Sequence, residues 1–301
     1  MLDVSSPRRL TLQLPHLRMH ALAWGPADGR LALCLHGFPD SAWSWRKLGP
    51  LLADRGFRVV APFTRGYSPT DLPSDGDYSI GALMHDAIAL HHHLDGRDDA
   101  VLIGHDWGAF TANALAAHPD SPFGAHIAMS VPSIAATSAQ RHSPVAELRL
   151  AVRQLRMSWY LLFFQLPFLP ERVVARVIPR LWRDWEPEGA DLVEDVGNTR
   201  AALPSLAHRR AAISYYRALA RPTRPASRYA ELNRHRFRLP RVPILHMQGA
   251  VDGAIHVGYS DFLTHALPSG SVVEIVAGGG HFLQVEHPEI VRDAVLRFVD
   301  S

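Results

Sequence analysis

A chain of 301 residues, 47% hydrophobic and 20% charged, carries enough apolar material for a sizeable core and is not a disordered polymer. Its net charge of +2 is uneven: residues 132–238 hold eighteen Arg against nine Asp and Glu, and the remainder is net negative, yet no DNA- or RNA-reading motif accompanies the arginines, so nucleic acid is not an expected partner. The first residues lack the apolar stretch of a secretory leader, no apolar run is long enough to span a bilayer, and the single cysteine, Cys34, excludes an intrachain disulfide. A cytoplasmic protein without membrane partners is expected.

Residues 9–35 alternate apolar and polar side chains or run apolar between the turn signals Gly25-Pro26 and Asp28-Gly29, which predicts two antiparallel strands feeding a buried one at 31–35. A loop, His36-Gly-Phe-Pro-Asp40, leads to a helix over about 43–55 and a strand at 57–61. A second loop, Arg65-Gly-Tyr-Ser-Pro-Thr-Asp71, precedes a helix over 80–94. That helix carries His91, His92 and His93, and since three successive residues cannot share one helical face, they are expected to be solvated and not to bind metal. Next come an apolar strand at 101, the sequence Gly104-His-Asp-Trp-Gly108, a small-residue helix over 108–118 and a strand at 125–131. The alternation implies a doubly wound, mostly parallel sheet whose ligands bind outside the strand C-termini. Residues 132–238 read as an inserted helical cap, with an aromatic run at Ser158-Trp-Tyr-Leu-Leu-Phe-Phe-Gln165. The core, 1–131, resumes over 239–301 with a strand ending at Gly249, a helix over 259–267, a strand over 271–276, Gly278-Gly-Gly-His281 and an amphipathic helix over 288–299.

Gly104 and Gly108 flank Asp106 as a sharp strand-to-helix turn requires, since such a turn brings backbones too close for side chains and projects its central residue over the sheet edge. A helix N-terminus there favours an ionised carboxylate, so Asp106 is either a nucleophile or a plain helix cap. As a nucleophile it attacks carbon without first losing a proton, and a base is needed only later, to activate water. His281, which follows three glycines and a strand, is the candidate base. Asp252, just beyond a strand end, is the candidate orienting acid, because residues 121–146 contain neither Asp nor Glu. The backbone N–H groups of Phe38 and Trp107 are candidates for an oxyanion hole.

His36-Gly-Phe-Pro-Asp40 with Trp45-Arg46, Arg65-Gly-Tyr67, Gly104-His-Asp-Trp-Gly108, Gly249-x-x-Asp252 and Gly280-His-Phe282, in this order, resemble the epoxide hydrolases of the α/β-hydrolase fold over nearly the whole chain. The resemblance implies that Asp106 forms an alkyl ester with the substrate and that His281 with Asp252 activates the water that cleaves it. It further implies two cap tyrosines, matched by Tyr160 and Tyr216, that hydrogen-bond the epoxide oxygen; whether Tyr215 or Tyr216 faces the cavity stays open. A phenol is protonated at neutral pH and can supply the proton an opening alkoxide needs. Trp159, Phe163 and Phe164, with Phe38 and Trp107, are expected to line a pocket for an apolar or aromatic epoxide. The expected partners are that epoxide and water, with no cofactor and no metal, and a homodimer is left open. One alternative is a haloalkane or haloacetate dehalogenase on the same Asp-His-Asp triad, whose departing halide needs no proton. The haloacetate branch typically carries Arg where this chain has Trp107. The other alternative is a catalytically silent binding protein of this fold, which would have no need of nucleophile, acid, base and oxyanion loop together.

Overall fold

The computed structural model describes residues 6–138, 143–221, 224–261 and 263–301. The first part of the chain runs β1 Arg8–Gln13, β2 Arg18–Trp24, β3 Arg30–Leu35, α1 Leu48–Ala53, β4 Phe57–Pro62, α2 Ile80–His93, β5 Val101–His105, α3 Trp107–Ala116 and β6 Ala125–Met129. Among the described residues, seven α-helices follow before the next strand: α4 Ile134–Ser138, α5 Pro144–Met157, α6 Trp159–Phe163, α7 Leu169–Trp185, α8 Val193–Ala202, α9 Leu206–Ala220 and α10 Ala230–Asn233. The chain closes with β7 Ile244–Gly249, α11 Leu263–Ala266, β8 Val272–Val276, α12 Leu283–Glu286 and α13 Pro288–Val299.

One sheet of eight strands, ordered β1-β2-β4-β3-β5-β6-β7-β8, organises these elements. Only the β1–β2 and β2–β4 pairs are antiparallel. The chain belongs to the α/β class with the mostly parallel, doubly wound sheet expected of it. Strands β5, β6 and β7 are buried at every position, as strands covered by helices on both faces must be, which is why they read as unbroken apolar runs. β2 feeds β3 along the chain but is not its neighbour in the sheet: β4 lies between them, pairing antiparallel with β2 and parallel with β3. β3 is apolar on both faces and so takes an interior place.

Three local expectations change. The single helix over 43–55 is a 3-10 turn at Ala42–Arg46 followed by α1. Pro50 has no N–H for a continuous helix, whereas the first turn of a new one tolerates it. The helix over 259–267 shortens to α11, with residue 262 outside the described residues. His92 and His93 are exposed, but His91 is buried on the same face of α2 as Met84 and Ala87, with Nε2 3.2 Å from the Arg97 carbonyl; burial lowers its pKa.

The helical insertion enters from β6 and returns to β7. Its ends are tied to the core: α4 packs on α11 and α10 on α2. Among the described residues, no helix is long and apolar enough to cross a membrane. The C-terminal ends of β3, β5, β7 and β8 all open on the side that carries the loops described next.

Candidate active site

Asp106 stands between β5 and α3 at φ 50° and ψ −108°, a conformation that side-chain-bearing residues rarely adopt. The turn is this tight because a Cβ on Gly104 would collide with the Gly108 carbonyl, and one on Gly108 with that of Leu35. The Asp106 side chain makes no capping bond to α3, so its carboxylate is not spent on the helix. Instead Oδ1 accepts the Phe38 N–H at 2.7 Å. Gly37 lets this loop come in, since a Cβ there would strike the Asp106 carboxylate. Of the two expected oxyanion donors, only Phe38 is engaged. Trp107 heads α3, where a backbone N–H has no acceptor within the helix.

His281 faces two carboxylates. Nδ1 lies 2.9 Å from Asp252 Oδ2, and Nε2, buried and without a hydrogen bond, lies 3.8 Å from Asp106 Oδ2. Burial alone would depress the imidazole pKa, but Asp252 and Asp106 together outweigh it and hold the value at about 10. Asp252 is itself locked: Oδ1 accepts the N–H groups of Ala254 and Ile255 at 2.7 and 2.9 Å, and Oδ2 accepts Gln248 Nε2 at 2.7 Å.

The loop of His281 is held by residues that the sequence reading passed over. Glu286 accepts the N–H groups on either side of the histidine, Gly280 at 2.5 Å and Phe282 at 2.7 Å. The Trp185 carbonyl accepts the His281 N–H at 3.0 Å, while the His281 carbonyl receives Ser130 Oγ at 2.5 Å and His105 Nε2 at 3.0 Å. The Trp185 ring packs on His281 at 4.9 Å and on Tyr160 at 5.1 Å. Beside Glu286, Glu186 is pushed up to about 9 by burial and by its neighbour's charge, so the two carboxyls share a proton at neutral pH. A pair of glutamates a hundred residues apart gives no local pattern, but Trp182-x-x-Trp185 on one face of α7 is a legible sign of aromatic packing toward the core.

Tyr160 on α6 and Tyr216 on α9 meet edge to face, with ring centroids 5.7 Å apart. Tyr216 also packs on Phe38 at 5.3 Å and Trp107 at 5.0 Å, and its hydroxyl is buried without a partner. Burial, with Asp106 nearby, raises both phenols well above their ordinary values, so both stay protonated. Tyr215 points elsewhere: its hydroxyl donates to the Arg65 carbonyl at 2.7 Å. Arg65 in turn is fully buried and bound by Asp86, at 2.7 and 2.5 Å.

Phe164 is at the site, against Phe38, Tyr160 and Tyr216 at 5.1 to 5.8 Å. Trp159 and Phe163 are not. They are half-buried against each other, and Arg180 lies over the Trp159 ring at 4.8 Å. Positions i and i+4 share a helical face, so Tyr160 pairs with Phe164 on the inner face while Trp159 and Phe163 take the adjacent outer one.

Two clusters away from the site have metal-ligand composition. In His16, His85 and Asp86 the carboxylate is already bound by Arg65. In His118, Glu231 and His235, His118 Nδ1 accepts the Asp120 N–H, which places the ring proton on the Nε2 that would have to bind a metal.

A strained acidic elbow, a histidine and acid from later strand ends and a donor loop after β3 form one constellation on a doubly wound sheet. Residues 33–288 match the alpha/beta hydrolase fold family, and the chain belongs to that family. Among named proteins it is 27% identical over 323 residues to epoxide hydrolase A of Mycobacterium tuberculosis, covering 98% of each chain. It is 27% identical over 295 residues to mouse epoxide hydrolase 3, covering 95% of this chain and 74% of the other. Among solved structures, a candidate epoxide hydrolase from Klebsiella pneumoniae superposes with a TM-score of 0.81 at 24% identity, covering 99% and 98% of the two chains. The protein is an epoxide-hydrolase-like member of its family.

Proposed function

We propose that the protein hydrolyses an epoxide to a vicinal diol, with residues 132–238 acting as a cap over Asp106. Asp106 Oδ2, which has no hydrogen bond, attacks an epoxide carbon; the C–O bond breaks toward the oxygen, which takes a proton from Tyr160 or Tyr216. The ester carbonyl oxygen is then Oδ1, already resting on the Phe38 N–H, where negative charge develops when water adds. Esterification removes the charge that faced His281 Nε2. The imidazole pKa falls, its Nε2 proton returns to the tyrosinate left by epoxide opening, and the neutral ring then takes a proton from the attacking water, with Asp252 stabilising the imidazolium that results; the tetrahedral intermediate collapses as its hydroxyl proton passes to the departing diol oxygen.

The single observation that carries this reading is the Tyr216 hydroxyl. It is buried beside the nucleophile with the Trp107 indole N–H, itself a donor, as its polar neighbour, so its proton has no acceptor among the described residues. An epoxide oxygen supplies that acceptor, and the names of the relatives support the choice. The Trp107 indole N–H, which faces the Tyr216 hydroxyl, is a second buried donor that a departing halide could accept, and this favours the dehalogenase as the second reading. A parallel assay with an aryl epoxide and a haloalkane separates the two. Diol formation is expected, and halide release without any diol overturns the proposal.

A further inference from the structure

The arginine excess of residues 132–238 has no part in the site above, but the structure gives it a place. A vestibule of about 460 Å³ is lined along one side by Arg210, Ser214, Arg217 and Arg221. These fall at i, i+4, i+7 and i+11, one face of α9 continued past its end. An inner cavity of about 80 Å³ shares Tyr78, Ala218 and Arg221 with the vestibule and ends on Trp107 and Tyr215. Trp107 follows Asp106 in sequence, and its indole packs on Tyr216. The helix that carries Tyr216 at the site therefore also carries the arginines, which makes the vestibule a candidate approach to it.

The charges of this approach are not balanced. Arg217 is paired with Glu171 at 2.5 Å, but among the described residues Arg221 bonds only the neutral oxygens of Gln165, at 3.2 and 2.8 Å. Arg210 has no carboxylate within ion-pair distance among the described residues. Of the acids of the lining, Asp75 is paired with Arg228 at 2.6 Å and bound by the Tyr229 hydroxyl at 2.7 Å, while Asp77 keeps its charge against the neutral N–H groups of Ser79 and Ala226 and is outnumbered by the arginines. Like charges at i and i+4 repel, as Arg217 and Arg221 do, and a concave, low-dielectric wall concentrates their field on whatever enters.

We propose that this vestibule selects epoxides bearing an anionic group, a carboxylate or a phosphate, which Arg210 and Arg221 hold while the epoxide passes Trp107 to reach Asp106. The inference rests on the epoxide-hydrolase reading and narrows its substrate class from an apolar epoxide to one that is apolar at the reacting end and charged at the other.

The test compares terminal epoxy carboxylates of increasing chain length, and the matching phosphate monoesters, with their neutral methyl esters. At some chain length the anion should be preferred in kcat/KM, the preference should shrink as salt is raised, and the better of the two anion series identifies the natural group. A half-exposed ion pair is worth about threefold to fivefold. Arg210→Ala and Arg221→Ala should each lower the anion-to-ester ratio by about that factor, and Arg→Lys at either position should restore most of it. Equal or better turnover of the esters at every length, or a preference that survives both alanine substitutions, overturns the proposal. Calorimetric binding of the diol carboxylate and its methyl ester to the wild type and both variants scores the arginines without turnover. Anion-selective binding in a protein that opens no epoxide would then condemn the hydrolase reading and leave the vestibule standing.

Discussion

Replacing Asp106 with Asn tests the electrostatic logic of the proposed mechanism, because it removes a charge while keeping the side chain's size. His281 Nε2 lies 3.8 Å from Asp106 Oδ2. Two unit charges at that distance, in an effective dielectric of about 20, interact by about 4 kcal/mol. At about 1.4 kcal/mol per tenfold change in protonation, that is enough to bring the imidazole from about 10 to the neutral range, with Asp252 still in place. The ester intermediate is neutral at the same position, so the variant stands in for it. Imidazole nitrogens followed by NMR across pH, with the His281 signals assigned from a His281→Gln spectrum, give the measurement. The wild-type ring should keep its second proton past pH 9 or so, and the Asp106→Asn ring should release it near neutrality. Identical titration in the two proteins would refute the argument that esterification itself turns His281 into a base.

The same mechanism requires His281→Gln to be alkylated and then to stall, gaining the mass of one substrate molecule on the peptide that carries Asp106; an inactive protein of unchanged mass removes Asp106 from the nucleophile's role. Tyr160→Phe and Tyr216→Phe should each slow epoxide opening by about 10² to 10³, whereas Tyr215→Phe, which strands the Arg65 carbonyl, should cost about 1–2 kcal/mol of stability in denaturant and spare the opening step. Glu286→Ala leaves the Gly280 and Phe282 N–H groups buried without acceptors, so denaturant unfolding should show a loss of about 2–6 kcal/mol. Glu186, near 4.5 when unfolded and about 9 when folded, binds its proton more tightly in the native state; stability should fall as pH rises through that window, and Glu186→Gln should flatten the fall in unfolding midpoints.

The strand ends were legible because their signals are local and steric. Gly104 and Gly108 have no room for a Cβ, so their spacing around Asp106 announces the turn whatever surrounds it. The apolar runs of β5, β6 and β7 announce strands buried on both faces. Helical phase was not legible where every residue is aromatic or leucine. In Trp159-Tyr-Leu-Leu-Phe-Phe164 either face could have been the inner one, and only the seating of α6 on α9 puts Tyr160 and Phe164 inside. Tyr215 and Tyr216 posed the same problem, decided by the acceptor that Arg65 offers to one of them. The order of β4 and β3 and the hold of Glu286 and Trp185 on the His281 loop arise between distant segments, and no window along the sequence contains them.

The site holds two carboxylates within reach of one imidazole, and what distinguishes them is how many donors each has. Asp252 accepts from Gln248, from two backbone N–H groups and from His281, so its lone pairs are filled and the carboxylate is fixed in place. A carboxylate in that state is a poor nucleophile, because attack would first have to break several charge-assisted bonds. Asp106 is held by a single donor, the Phe38 N–H on Oδ1. Its other oxygen faces His281 Nε2 at 3.8 Å and is the one that the proposed mechanism uses to attack carbon. Adding a donor to Oδ2 would make Asp106 resemble Asp252 and would quench it, and removing the donors of Asp252 would let its charge move and His281 with it. In the proposed mechanism the division of labour between nucleophile and orienting acid therefore follows from the hydrogen bonds that each aspartate does or does not receive, and not from any difference between the two side chains.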